Sequence, residues 1–439
     1  MGSNRIFYWS LTAALGGFLF GFDTAVISGA ERAVQALWSL DDWWQGFTVS
    51  AALIGTFFGA LAGGRLGDGL GRKKSLILIG LLYTLSALGS AMTASWAWFV
   101  AFRFIGGLGV GASSVVGPTY ITEIAPTEKR GRMAALFQFN IVLGILMAFV
   151  SNYLLLDFGD EPWRWMLGVE AVPAVAFLTL VLTVPESPRW LAAVKGDSTA
   201  AAAILRQIGH ADPEAELAQF QPANAAHLNT GDGLFSGNYR FSIVLAVTIA
   251  VFNQVTGINA IIYYSPRIFE LAGLTSNAGF LATIGVGLVN FVATLVGIRF
   301  IDRAGRKRLM VIGSYGLIAT LGLVAWCFYA EAGGLFVPIL LFSYIAFFAL
   351  SQGAVIWVFL AEIFPNHIRA SGQGIGSSTH WFMAAMISFV FPGLTAAVGP
   401  GNTFLFFAVC MVAQLIWVIR VMPETKGVSL EDLQKQLRR

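Results

Sequence analysis

The stretch GDGLGRKK (Gly67–Lys74) returns as IDRAGRKR (Ile301–Arg308), 234 residues later. Two more strings return at nearly the same distance. EIAPTEKR (Glu123–Arg130) recurs as EIFPNHIR (Glu362–Arg369) at an offset of 239, and PESPR (Pro185–Arg189) as PETKG (Pro423–Gly427) at 238. Three strings repeated in one order mark two homologous halves. Such halves, when they span a membrane, place a substrate site near the bilayer midplane and rock to expose it alternately to each side.

The flanking sequence says that they do span one. Of 439 residues, 56% are hydrophobic and only 12% charged, against about 25% charged in a soluble domain. This balance excludes a soluble enzyme, a disordered chain and a nucleic-acid binder, and a net charge of +3 implies no polyanionic partner. A membrane helix needs about 20 mostly apolar residues. Six such runs lie near 8–30, 46–67, 75–94, 96–121, 132–155 and 163–184, and six more near 241–270, 277–300, 309–330, 335–361, 371–397 and 403–421. The expected architecture is an all-α membrane protein of twelve transmembrane helices in two six-helix halves. Residues 1–184 form the N-terminal half, 185–239 a linker with short helices, 240–422 the C-terminal half and 423–439 a tail. In the linker, Asp197 or Ser198 is placed to cap one helix and Asp212-Pro213 to start another.

Basic residues crowd the loops after the even-numbered runs. The other side holds only Arg32, Arg164 and Arg267. By the positive-inside rule, the even loops, the linker and both termini are cytoplasmic. Cys327 and Cys410 lie in apolar runs, and the four histidines are too scattered for a metal site, so no metal is expected.

The chain resembles the sugar porter family of the major facilitator superfamily, especially bacterial xylose–proton and glucose–proton symporters. The resemblance rests on GGFLFGFDTAVISG (Gly16–Gly29), RFIGGLGVG (Arg103–Gly111), PESPRW (Pro185–Trp190), QVTGINAIIYYSP (Gln254–Pro266) and PETKG. It implies a plasma (inner) membrane carrier that is not an enzyme. The carrier would take up a monosaccharide such as glucose or xylose with a proton as coupling ion, without a cofactor, as a monomer in the lipid bilayer.

Asp23 and Arg103 are the only charged residues near the centre of the first half. An ionised carboxylate at that depth costs several kcal/mol unless it is paired or wetted, so the two are expected to pair. The pair is either a permanent structural one or a proton switch, since a neighbouring guanidinium and burial act oppositely on a carboxyl. The resemblance implies the switch, with Glu170 as a second acid. Facilitative members tend to carry Asn where this chain has Asp23.

The resemblance also implies a sugar site of Gln138, Asn253, Gln254, Asn259, Asn290 and Trp357, with Phe20, Phe348 and Trp381 lining the cavity. Amides suit sugar hydroxyls because they both donate and accept. His380 stands where relatives usually carry Gln or Asn, and Asn253 where many carry a second Gln. Ala354 follows Gly353 where many carry Pro, so the bend of the tenth helix is expected to differ. Tyr263 and Tyr264 match the extracellular gate. The repeated cytoplasmic charges match a second gate, in which Arg72, Arg130, Arg189, Arg306 and Arg369 pair with Asp68, Glu123, Glu186, Asp302, Glu362 and Glu424. Asp68 is expected just ahead of the third helix, at the positive end of its dipole. A facilitative uniporter on the same fold, or a transporter-like sugar sensor, is the competing reading.

Overall fold

The computed structural model describes residues 2–126, 129–208, 212–220, 234, 237, 239–365, 368–428 and 430–437. Its elements are α1 (Gly2–Leu37), α2 (Asp42–Leu70), α3 (Arg72–Met92), α4 (Trp96–Ile124), α5 (Arg130–Leu154), α6 (Pro162–Gly168) and α7 (Ala171–Thr183). Short helices α8 (Pro188–Trp190), α9 (Ser198–Ile208) and α10 (Pro213–Phe220) follow, then α11 (Arg240–Gln254), α12 (Ile258–Leu271), α13 (Ser276–Ala304) and α14 (Arg306–Tyr329). The chain ends with α15 (Phe336–Leu350), α16 (Gln352–Glu362), α17 (Arg369–Arg420) and α18 (Leu430–Leu437).

Among the described residues, eleven helical stretches are long and apolar enough to cross a membrane. One of them, α17, has 52 residues, about 78 Å of helix against a hydrocarbon core of about 30 Å. It breaks at Gly399 (φ 81°, ψ 158°), a conformation open only to glycine, with Pro400 following. Segments eleven and twelve are therefore separate spans, and the twelve-helix all-α architecture holds.

Three spans are interrupted. The sixth breaks between α6 and α7 at Val169–Glu170. The seventh breaks at Gly257 (φ 83°) between α11 and α12, and bends again at Tyr264, two residues before Pro266. The tenth breaks at Ser351 (φ −116°, ψ −88°) between α15 and α16, without a proline. Each interruption frees backbone groups, which at membrane depth must find partners inside the protein. At the seventh, the Tyr344 hydroxyl donates to the Thr256 carbonyl at 3.0 Å.

The residues group into two units: 1–26, 51–151 and 157–230 in the first, and 27–50, 152–156 and 231–439 in the second. In the first unit, glycines let α2 and α4 touch backbone to backbone. A Cβ on Gly107 would overlap the Ala52 carbonyl, and one on Gly111 the Thr56 carbonyl. Such small-residue seams are how membrane helices gain packing without a hydrophobic driving force between them. Its core gathers Leu19, Tyr83, Tyr120 and Phe177. The second unit packs Ile249, Phe359, Phe364 and Val418 together. Large apolar side chains stay exposed on both, such as Trp98 and Val172 in the first and Leu335 and Phe336 in the second. An apolar exterior over a packed interior is what lipid demands. The linker helices start as expected: Asp197 Oδ1 accepts from Ala200 N at 2.9 Å, and Asp212 Oδ1 from Glu214 N and Ala215 N at 3.1 and 3.0 Å.

Candidate functional site

In the first unit, Asp23 on α1 and Arg103 on α4 form the expected pair. Arg103 Nη1 donates to Asp23 Oδ1 at 2.7 Å and Nη2 to the Asp23 carbonyl at 3.0 Å, with both side chains 2% exposed. The guanidinium thus clamps side chain and backbone of one residue. Glu170 sits at the α6–α7 break, buried and close enough to Asp23 and Arg103 to interact with both charges. Its Oε1 has no hydrogen-bond partner. Two acids thus face one cation, and the three are electrically neutral when the acids share one proton. Gln138 on α5 and Phe20 on α1 are half-buried in the same unit.

The second unit holds the amides. Asn259 Nδ2 donates to Gln254 Oε1 at 2.6 Å, and Gln254 Nε2 donates to Asn253 Oδ1 at 3.0 Å. Gln254 Nε2 also lies 3.2 Å from both ring nitrogens of His380. His380 stands between two indoles, its ring centroid 5.0 Å from those of Trp357 and Trp381. Trp357 is 40% exposed, whereas His380 and Trp381 are buried. The break at Gly257 lies between Gln254 and Asn259, which bond to each other across it. Phe348 ends α15 beside the Ser351 break and stacks on Tyr344 with centroids 6.4 Å apart. Asn290 on α13 is buried.

Asn253 turns away from this cluster on its donor side: its Nδ2 reaches the Gln352 carbonyl at 3.4 Å. Gln352 in turn donates to Gln414 Oε1 at 2.8 Å, and Gln414 to Ser314 Oγ at 2.9 Å. Gln352 and Gln414 were missed in sequence. Their signal was available, since both are amides inside apolar runs. Tyr264 donates to the Ser388 carbonyl at 3.0 Å and stacks on Phe391 at 5.2 Å, and Tyr263 beside it is buried.

The repeated charges form two matching arrays, one per unit. Arg72 Nη2 donates to Glu123 Oε1 at 2.9 Å and Nη1 to the Gly67 carbonyl at 2.9 Å. Arg306 Nη2 donates to Glu362 Oε1 at 2.7 Å and Nη1 to the Ile301 carbonyl at 3.2 Å.

Several expected partners differ. Glu186 and Glu424 accept backbone N–H groups instead of arginine side chains. Glu186 Oε1 takes Arg72 N at 2.8 Å and Lys73 N at 3.0 Å, and Glu424 takes Arg306 N at 2.9 Å and Lys307 N at 3.0 Å. These are the orphan donors at the starts of α3 and α14, where a carboxylate is also favoured by the helix dipole. Gly71 and Gly305, both at φ 88°, open the way for them. Burial alone would raise the Glu424 carboxyl, but N–H bonds from Lys426, Arg306, Lys307 and Thr425 outweigh it and hold it below the ordinary carboxylate range.

Asp68 precedes α3 by four residues but is still part of α2. It lies in the last turn of α2, mostly exposed, where it accepts from Arg72 Nη1 at 3.0 Å. Arg130 Nε donates to the Thr122 carbonyl at 2.9 Å and Arg369 Nε to the Phe364 carbonyl at 3.3 Å, while Arg189 is exposed. The side chain of Asp302 lies outside the described residues.

A further cluster was not foreseen. In the second unit, Arg267 on α12 lies 3.6 Å from buried Glu31 on α1 and 3.6 Å from Asp42 on α2, and donates to Gln35 Oε1 at 2.7 Å. Gln45 Nε2 donates to Glu31 Oε2 at 2.9 Å, and Arg32 pairs with Glu270. The sequence held one clue: these are two of the three arginines on the side poor in basic residues. The third, Arg164, donates to the Ala91 and Thr93 carbonyls at 2.8 and 2.7 Å.

Comparison with known proteins agrees with this geometry. The family model described as sugar (and other) transporter matches residues 9–437. The arabinose-proton symporter of Bacillus subtilis (strain 168) is 37% identical, over 97% of this chain and 94% of the relative. The D-xylose-proton symporter of Escherichia coli (strain K12) is 34% identical, over 98% and 96%. The inward open conformation of the xylose transporter XylE from E. coli superposes with a TM-score of 0.87 at 33% identity, covering 98% of this chain and 99% of that one. A family match along almost the whole length, relatives well above 30% identity and the same helical fold have one reading: the chain is a multi-pass membrane protein and belongs to the family of sugar (and other) transporters.

Proposed function

We propose that the protein is a proton-coupled monosaccharide importer that works by alternating access. The observation that carries the proposal is the buried pair Asp23–Arg103 with Glu170 against it. A structural ion pair needs one acid. A second acid, buried with a free oxygen, supplies a place for a proton whose arrival or departure changes the charge of the site.

On this reading, a proton on the acid pair loosens the hold of Asp23 on Arg103 and favours the sugar-loaded carrier. Release of the proton restores the clamp. Gln254, Asn259 and His380 bind sugar hydroxyls through the bonds they now make to one another, and Trp357 and Trp381 cover the sugar's C–H faces. In the first unit, Gln138 and Phe20 are sugar-binding residues by family resemblance. The relatives support this substrate class: two of them are an arabinose-proton and a D-xylose-proton symporter. The basic loops, the linker and both termini face the cytoplasm of a plasma membrane by the charge rule. Tyr263 and Tyr264 close the outer side, and the Arg72 and Arg306 arrays act at the inner side. The carrier acts as a monomer and uses no cofactor beyond the proton.

The test is uptake of a sugar panel into proteoliposomes with and without an imposed proton gradient. Concentrative uptake of one or more monosaccharides with matching proton movement is expected. Sugar that equilibrates without ever concentrating, and without proton movement, would make the protein a uniporter.

A further inference from the structure

Hydroxyls inside an apolar helix can return to a carbonyl one turn back. In α3, Ser75 does so to Gly71 at 2.6 Å and Thr84 to Gly80 at 2.8 Å. Ser86 and Ser90 do not. Each is 1% exposed, and neither Oγ has a hydrogen-bond partner in the protein. An unpaired buried hydroxyl costs about 1–3 kcal/mol. Two of them four residues apart lie on one helix face, so the cost is incurred twice along a single line.

That line leads to the acid pair. A Cβ on Gly106 of α4 would fall against both the Ser86 hydroxyl and Asp23 Oδ1, the latter at 3.3 Å. The missing side chain of Gly106 thus leaves the serine and the carboxylate bordering one space. Ser90 lies one turn further along α3, two residues before its last, Met92, which is 79% exposed. This is the end opposite the basic loops. One helical turn rises about 5.4 Å, roughly twice an O–H···O distance of about 2.8 Å. One water between successive hydroxyls would span that step and give each serine a partner. The titratable and charged groups around the inner end are Asp23 from α1, Tyr83 from α3, Arg103 from α4 and Glu170 from the α6–α7 break; at the Ser90 end Arg164 from α6, paired with Glu161, donates to the Ala91 and Thr93 carbonyls.

We propose that Ser90 and Ser86 form, with intervening water, the relay that carries the coupled proton between the end of α3 and the Asp23–Glu170 pair. Each hydroxyl accepts a proton on one side and gives one up on the other. One proton is moved in all, and no bond between heavy atoms is made or broken. The proposal rests on the proton-coupled reading above. It adds residues outside the sugar-site amides and outside the Asp23–Arg103–Glu170 group itself.

The test uses the full chain in proteoliposomes: wild type, Ser86→Ala, Ser90→Ala, the double variant and Ser90→Thr. Three readouts are taken: melting temperature, sugar counterflow without a gradient, and sugar-induced proton movement across a range of external pH. Removing unpaired hydroxyls is expected to leave melting unchanged or raised, and counterflow within twofold. Proton movement in the double variant is expected to fall at least tenfold and to need a more acid exterior, with Ser90→Thr close to wild type. Wild-type proton movement in the double variant at every pH overturns the relay alone. A wild type that transports sugar without protons overturns the coupling reading and the relay with it. A double variant that melts early and loses counterflow assigns the serines to packing and also overturns the relay.

Discussion

Replacing Asp23 by Asn keeps the shape of the side chain and removes the charge that Arg103 grips through Oδ1. Uptake against a gradient and proton movement are expected to vanish in Asp23→Asn, while sugar exchange between equal compartments continues. At 100 mV, one coupled charge supplies about 2.3 kcal/mol, roughly fifty-fold accumulation, so the loss is easily measured. A variant that still concentrates sugar would remove Asp23 from the coupling site. Gln254 is the second informative residue, because it holds Asn259, Asn253 and His380 at once. Gln254→Ala is expected to raise the half-saturating sugar concentration by about ten- to hundred-fold, as one to two good hydrogen bonds would. Unchanged uptake kinetics would place the sugar elsewhere. Both residues were legible in sequence, as a charge and an amide inside apolar runs. Their partners at Glu170 and His380 were anticipated only through family likeness, since no local pattern joins residues 126 positions apart.

At the scale of elements, the caps on α3 and α14 are the clearest case of one device used twice. Glu424 receives backbone N–H groups at the start of α14, and these bonds hold its carboxyl below the ordinary value of 4.5. A lowered carboxyl contributes stability above its ordinary value and loses that contribution as pH falls through the lowered one. Glu424→Gln is therefore expected to melt a few degrees early near neutral pH, by about 1 kcal/mol after solvent screening. The difference from wild type should close in strong acid. A difference independent of pH would mean that shape, not charge, makes the cap. The repeat made both glutamates visible. Their true partners were not, because a capping bond depends on where a helix begins to within one residue. The breaks at Gly257 and Glu170 escaped for a related reason. Apolar composition reports that a stretch lies in lipid, not whether its backbone stays helical there.

For the molecule as a whole, the scarce charges are its most telling feature. On the side poor in basic residues, Glu31 is 1% exposed, yet it has Arg267 at 3.6 Å and Gln45 at 2.9 Å. Breaking a buried pair from one side leaves an uncompensated charge. Arg267→Ala is expected to lose about 3 kcal/mol of stability, followed as the melting temperature of the solubilised protein, and adding Glu31→Gln should recover part of it. Equal melting of Arg267→Ala and wild type would show that the cluster holds nothing together.

Composition, the lengths of the apolar runs and the triple repeat determined by themselves that this chain spans a membrane twelve times, in two six-helix halves. These are properties of local hydropathy and of strings that can be counted. Only the tertiary structure decided which acid meets which donor. It turned Glu186 and Glu424 onto backbone N–H groups, set Glu170 against Asp23, gathered Gln254, Asn259 and His380 at the helix breaks, and left Ser86 and Ser90 unpaired along one face. In a low-dielectric interior every polar group must find a partner or bear the cost of having none. Partners brought together from distant positions are chosen by packing, which no local stretch of sequence records.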